Sequence, residues 1–346
     1  LLEIFEDVPG PELVVVDMLS GWVTWMDPDD PKGTLKPIVR LKNPCHTEAV
    51  DLNQDGQMDL LVADLGDPEP SDVQLGTVVL LKRTGSREFE TITLTGKMGR
   101  VADARAADFD SDGDLDIIVG EFGWRKLGSL VYLENVSDSN QLIFEPRTLD
   151  PRHGAIHVPI LDLNSDGKPD FLALLSQEHE VVEAFINLGN GEFTIKEVYS
   201  APHPQWGSSG MELIDFDGDG DQDVLATNGD TLGDMRLKAY HGIFWLENEG
   251  QFPFRYHRID DYYGVHRAEA GDLDGDGDLD IVASSFLPGL TDEAKERLQI
   301  EGLVWYEQTE AGAFEKRVFG EVACDFPTLE LGDINGDGLL DVITGN

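Results

Sequence analysis

The sequence predicts an all-β fold, a seven-bladed β-propeller of four-stranded blades whose first (A–B) hairpins carry Asp-rich loops. Three observations predict it. The nine-residue pattern D-x-[DN]-x-D-G-x-x-D occurs six times without gaps. Its first residues, Asp51, Asp108, Asp162, Asp215, Asp272 and Asp333, stand 57, 54, 53, 57 and 61 apart. Between consecutive loops run four short segments of strand character separated by turn residues, the pattern of a propeller blade.

The elements follow in order. Leu13–Asp17, Gly21–Trp25 and Leu35–Leu41 read as the second, third and fourth strands of a partial first blade that has no Asp loop. Each loop is followed by a short β-type run: 60–62, 117–119, 171–173, 224–226, 281–283 and 342–344. Third strands are expected at 76–81, 128–133, 242–246 and 302–306. More polar fourth strands are expected at 89–94 and 193–198, and a small alternating run then leads into the next loop. Thr291–Leu298 is the only helical-looking stretch, placed in a loop between second and third strands. The chain stops at Asn346, just after a second strand. The count is seven blades: one partial, five complete and one cut short. Six blades would require two second strands in one blade. The reading is one propeller domain over 1–346.

These loops and the strands around them resemble the FG-GAP/VCBS repeats of integrin α-subunit propellers and of many bacterial exported proteins. The resemblance covers nearly the whole chain. It implies a calcium-binding propeller and an extracellular, periplasmic or cell-surface location. It leaves function open, because the family includes adhesins, lectin-like modules and lyases.

The residue types explain the metal. Calcium takes six to eight oxygens at roughly 2.3–2.6 Å. The expected ligand positions are 1, 3, 5, 7 and 9 of each loop: Asp51, Asn53, Asp55, Gln57 and Asp59; Asp108, Asp110, Asp112, Asp114 and Asp116; Asp162, Asn164, Asp166, Lys168 and Asp170. In the second half they are Asp215, Asp217, Asp219, Asp221 and Asp223; Asp272, Asp274, Asp276, Asp278 and Asp280; Asp333, Asn335, Asp337, Leu339 and Asp341. Position 7 offers its carbonyl, so its side chain varies freely. Position 6 is always Gly, where the bend needs a backbone that other residues resist. Position 12 is never the bidentate Glu of an EF-hand, and strands flank the loop. Asx-turns that satisfy hairpin backbones are the competing explanation, but they leave three or four carboxylates crowded together. About six calcium ions are expected, and they would bring the formal charge from -43 to -31. Their role is chiefly structural.

Composition excludes some classes. With 68 acids against 25 bases, the chain should not bind nucleic acid. No apolar run of about 18 residues exists, so no membrane span is predicted. The opening Leu1-Leu2-Glu3 shows no signal-peptide pattern and reads as the start of a mature or trimmed chain. Two cysteines, Cys45 and Cys324, cannot form a disulfide framework. Gly207–Gly210 lacks the strand–elbow–helix context of a hydrolase nucleophile.

Two places could carry function. The first is the set of loops opposite the Asp hairpins, 64–75, 121–127, 228–241 and 284–301. They and the connectors beside them gather Trp124, Arg125, Lys126, Trp206, Arg236, Tyr240, His241, Tyr262 and Tyr263. Aromatic platforms beside hydrogen-bonding groups suit a sugar; packing beneath the loops is the competing explanation. The second is the central channel, lined by first strands. Residues five and three before each first Asp share one strand face. This face carries His46, Glu48, Asp103, Arg105, His157, Glu212, Arg267, Glu269 and Glu330, with His266 at the mouth. Such a set could hold a transition metal through His46, His157 and a Glu, or supply acid–base groups. A solvated polar channel is the competing explanation. The leading expectation is an exported binding module for a glycan or protein partner. The rival is a sugar lyase or dehydratase that uses the channel.

Overall fold

Five of the six Asp loops run into a strand that is buried on both faces, and the sixth runs into Asp341–Gly345, which is half-buried throughout. Asp59–Asp64, Asp116–Glu121, Asp170–Leu175, Asp223–Asn228 and Asp280–Ser285 are buried at every position. A strand with a sheet packed on either side has no solvent face, so it reads as a continuous apolar run. Alternation then sends its side chains to different cores. Leu61 and Ala63 join Val119, Val131 and Leu133 in one cluster, whereas Leu60 and Val62 join Val23 and Trp25 in another.

The computed structural model describes residues 13–345 apart from 28, 29, 31, 139, 140, 234, 311 and 320–323. The readings made at Leu1–Glu3 and at Asn346 lie outside these. The chain divides into two compact units, 1–175 with 182–196, and 176–181 with 197–346.

The first unit opens with a three-stranded sheet, Leu13–Asp17, Trp22–Met26 and Lys36–Arg40. Two four-stranded antiparallel sheets follow. They are Pro44–Val50, Asp59–Asp64, Gly76–Arg83 and Phe89–Met98, then Val101–Ala107, Asp116–Glu121, Ser129–Asn135 and Phe144–Asp150. In the next sheet the first strand is split into Ala155–His157 and Ile160–Leu161, both paired with Asp170–Leu175. Pro159 lies in the break; it has no N–H for the ladder. This sheet continues through Val181–Gly189 and Glu192–Ser200, within which the division between units falls.

The second unit holds Ser208–Ile214, Asp223–Asn228, Gly242–Glu247 and Arg255–Asp261, then Val265–Gly271, Asp280–Ser285, Leu303–Glu310 and Ala313–Val318. A two-stranded sheet follows, Thr328–Gly332 with Asp341–Gly345. The helix falls where it was expected, at Asp292–Leu298, with Thr291 as its N-cap. The segments on either side of it contribute Leu287 and Ile300 to a small buried cluster with Cys324.

The first strands carry a feature the sequence reading lacked. Five of them bulge against their second strand at the residue six before the first Asp of the loop: Cys45, Ala102, Ile156, Ser209 and His266. A bulge inserts one unpaired residue and re-aims what precedes it. His266 is therefore the bulged residue of its strand, not a regular neighbour of Arg267.

Candidate metal loops and first-strand polar clusters

All six loops fold on one hydrogen-bond scheme. The position-6 glycine N–H donates to Oδ2 of position 1, as Gly56 to Asp51 at 2.9 Å and Gly338 to Asp333 at 2.8 Å. The position-5 N–H donates to Oδ1 of position 3. The position-7 N–H donates to Oδ1 of position 5. Position 6 has φ from 83 to 101°, which explains glycine there. The Asx-turn explanation is thus correct for the backbone, but at Asp108 and Asp215 it leaves one carboxylate oxygen without a partner.

Position 9 has a second task. Asp116 accepts N–H from Phe109 (3.2 Å) and Asn135 (2.8 Å) and O–H from Tyr132 (2.6 Å). Asp170, Asp223 and Asp280 likewise bind position 2 of their own loop and the end of the third strand. These aspartates are at most 1% exposed. Burial pushes Asp59 and Asp116 up to about 6.

The donor set fits a hard cation. Asp108, Asp110 and Asp112 bring carboxylate oxygens within 4.8 Å of one another, as do Asp215, Asp217 and Asp223, and Asp272, Asp274 and Asp276. Asp108 Oδ1 and Asp215 Oδ1 are buried with no hydrogen-bond partner. Burial first, then Asp112 and its other acidic neighbours, push Asp114 up to about 6. A divalent ion is the simplest group that would satisfy such oxygens.

The first-strand residues divide between the units. In the first, His46 Nδ1 lies 2.9 Å from Asp103 Oδ1, and Arg105 Nε donates to the same oxygen at 3.2 Å. Burial opposes ionisation of Asp103, but Arg105, His46 and His157 hold it well below the usual carboxylate range. In the second, Arg267 donates to Glu269 at 3.1 Å, and His266 Nδ1 sits 2.9 Å from the Pro327 carbonyl, so Nδ1 carries the proton. Burial lowers the His266 pKa.

Most of the acids on this face have a structural partner. Glu48 accepts the Ala106 N–H at 3.0 Å, Glu212 that of Ala270 at 2.9 Å, and Glu269 that of Leu331 at 2.9 Å. Each is three residues before its own first Asp and reaches the N–H two before the next. Asp103 takes the Val158 N–H at 2.9 Å. First strands are sheet edges with an unpaired row of N–H groups, and these carboxylates cover it.

Burial first, then the neighbouring Glu269, push Glu212 up to about 8. A raised folded pKa means that the folded state binds the proton more tightly. Stability from this group is therefore full below about pH 4.5 and is lost as pH rises towards 8. Glu212→Gln keeps the acceptor for Ala270 and has no charge. Its melting curves should match the parent at pH 5 and exceed it by on the order of 1–3 kcal/mol above pH 8; parallel pH profiles would refute this.

The loop aromatics are less exposed than a binding platform requires. Trp206, His241 and Tyr262 are 8%, 1% and 2% exposed, and Trp206 stacks under Tyr240 at 5.1 Å. For these residues, packing beneath the loops is the correct explanation. Tyr263 is 41% exposed, and Arg125 stacks on Trp124 at 4.3 Å.

Consecutive four-stranded antiparallel sheets, each entered through an Asp hairpin, define a repeat propeller of the all-β class. An FG-GAP-like repeat model matches residues 51–119 and 162–226, and the sheet arrangement is consistent with the FG-GAP repeat propellers. No curated protein matches it. Among solved structures it is similar to Sqt1 of Saccharomyces cerevisiae, at 10% identity and TM-score 0.54, covering 97% of this chain and 78% of that one. It is similar to the periplasmic gluconolactonase PpgL of Pseudomonas aeruginosa, at 13% identity and TM-score 0.53, covering 88% and 77%. The V. cholerae biofilm matrix protein Bap1 aligns at 17% identity and TM-score 0.42, over 80% of this chain and 39% of that one. Likeness at these identities speaks to fold alone. Among the described residues, no helix is long and apolar enough to cross a membrane.

Proposed function

We propose that this chain is a calcium-stabilised propeller binding module that works outside the cytoplasm and takes a glycan or a protein partner on the loops opposite its Asp hairpins. One observation carries the choice of module over enzyme. Glu48, Glu212 and Glu269 accept backbone N–H groups from the adjacent first strand, so the acids that might have done chemistry hold the fold. Calcium neutralises the hairpins through the carboxylates of positions 1, 5 and 9, joined at position 3 by Asp in three loops and by the Asn amide oxygen in the others, and supplies no reaction step. The sheets, five with complete strand sets, one of three strands and one of two, support the seven-blade count.

The binding surface rests on Trp124 with Arg125 in one unit and on Tyr240 and Tyr263 in the other. A flat ring beside a cation suits a sugar carrying a carboxylate. Electrophoresis through gels containing acidic or neutral polysaccharide tests this. Retardation by an acidic polysaccharide, relieved several-fold by Trp124→Ala with Arg125→Ala at unchanged calcium content, is expected. Unretarded migration in every gel would leave a protein partner as the occupant.

The second reading, a lyase or dehydratase acting through first-strand acid–base groups or a transition metal on His46 and His157, draws on Glu212 at about 8 and Glu269 at about 7. Burial is the largest cause of both shifts. Unsaturated products from an acidic polysaccharide, lost in Glu212→Gln, would favour it.

A further inference from the structure

The six loops share one backbone scheme, yet their side chains fall into two kinds. In loops 108–116, 215–223 and 272–280, position 3 is Asp, and these are the loops in which three carboxylate oxygens converge within 4.8 Å. They also hold the loop carboxylate oxygens that are buried without a partner: Asp108 Oδ1, Asp114 Oδ1, Asp215 Oδ1 and Asp278 Oδ1. Among the described residues no hydrogen-bond donor reaches them.

In loops 51–59, 162–170 and 333–341, position 3 is Asn, and its amide supplies a donor from within. Asn53 Nδ2 donates to Asp59 at 3.0 Å, Asn164 Nδ2 to Asp166 at 3.3 Å, and Asn335 Nδ2 to Asp341 at 3.3 Å. The position-5 N–H also reaches Oδ1 of position 1, from Asp55 to Asp51, Asp166 to Asp162 and Asp337 to Asp333, at 3.0 to 3.1 Å. Both oxygens of the first aspartate are thereby engaged; among the Asp-type loops this holds only at Asp272, whose Oδ1 takes the Gly275 N–H at 2.7 Å, and there the unpartnered oxygen is that of Asp278. Two of these loops add an ammonium: Lys168 Nζ lies 3.2 Å from Asp166 Oδ2, and Lys82 Nζ lies 3.9 Å from Asp55 Oδ2.

From this we infer that the loops form two affinity classes for calcium. The three Asp-type loops are unsatisfied without a divalent ion and bind it tightly. The three Asn-type loops carry their own donors, and two of them a counter-charge as well, and bind it weakly. A cation entering loop 162–170 must displace the Lys168 ammonium and turn the Asn164 amide, and both costs subtract from its affinity. A cation entering loop 108–116 displaces nothing and relieves like-charge repulsion. The inference rests on the calcium reading above and refines it from six equivalent sites to three and three.

Calorimetric titration of chelator-stripped protein with calcium alone tests it. Two phases are expected, about three ions per chain each, with dissociation constants at least tenfold apart. Asn164→Asp with Lys168→Gln should move one ion from the weak phase to the tight one. Asp274→Asn should move one the other way, so a folding defect in either variant leaves the opposite test standing. Six equivalent sites, or phases unmoved by both variants, would overturn the two classes and keep the calcium reading. No calcium uptake at all would overturn both.

Discussion

Chelator-stripped protein is expected to melt far below the calcium-loaded form, and most of the loss should track the Asp-type loops. Each tight site held at a hundred times its dissociation constant contributes about 2.7 kcal/mol. Three such sites contribute about 8 kcal/mol, which corresponds to a fall of more than about 10 °C for a domain of this size. Asp276→Ala should reproduce part of that fall in calcium, on the order of 2–3 kcal/mol. Asp166→Ala, in a loop that supplies its own donors and ammonium, should cost much less. Scanning calorimetry of the three proteins with and without excess chelator makes the comparison. A melting curve indifferent to chelator would refute the structural role of the metal.

Asp116→Ala is expected to be the most damaging single loop substitution, and calcium should not rescue it. It strands the N–H groups of Phe109 and Asn135 and the hydroxyl of Tyr132, which is 1% exposed. A buried donor left unpaired costs about 1–3 kcal/mol, so the sum is on the order of 3–5 kcal/mol. Asp110→Ala in the same loop removes a carboxylate whose only backbone donor is the Asp112 N–H at the exposed rim. Its cost should appear in calcium and vanish in chelator. Chemical denaturation of both variants in each condition separates fold from metal at position 9. If Asp116→Ala lost stability only when calcium was present, position 9 would be a ligand and little else.

The repeat, the strand order within each sheet, the helix at Asp292–Leu298 and the positions of the Asp hairpins were legible in the sequence. Each rests on local chemistry that recurs along the chain. Glycine at position 6 is needed because its φ is left-handed, and the apolar runs 60–62 and 117–119 are needed because no face of those strands meets water. Even the broken first strand near Pro159 has a local cause. Glu48, Glu212 and Glu269 lie at one strand position, so the sequence alone places them on one first-strand face.

What those acids do was decided only by tertiary structure. Their partners, the N–H groups of Ala106, Ala270 and Leu331, lie about 60 residues away, and a backbone N–H leaves no trace in composition. The five bulges were equally hidden, because Cys, Ala, Ile, Ser and His share no propensity at that position. Trp206 and Tyr262 could not be told from surface platforms until the loops that bury them were in place. The two kinds of Asp loop stand between these cases. The Asp/Asn choice at position 3 is written in the sequence, but its meaning depends on where the Asn amide and the Lys168 ammonium come to rest, which only the folded hairpin determines.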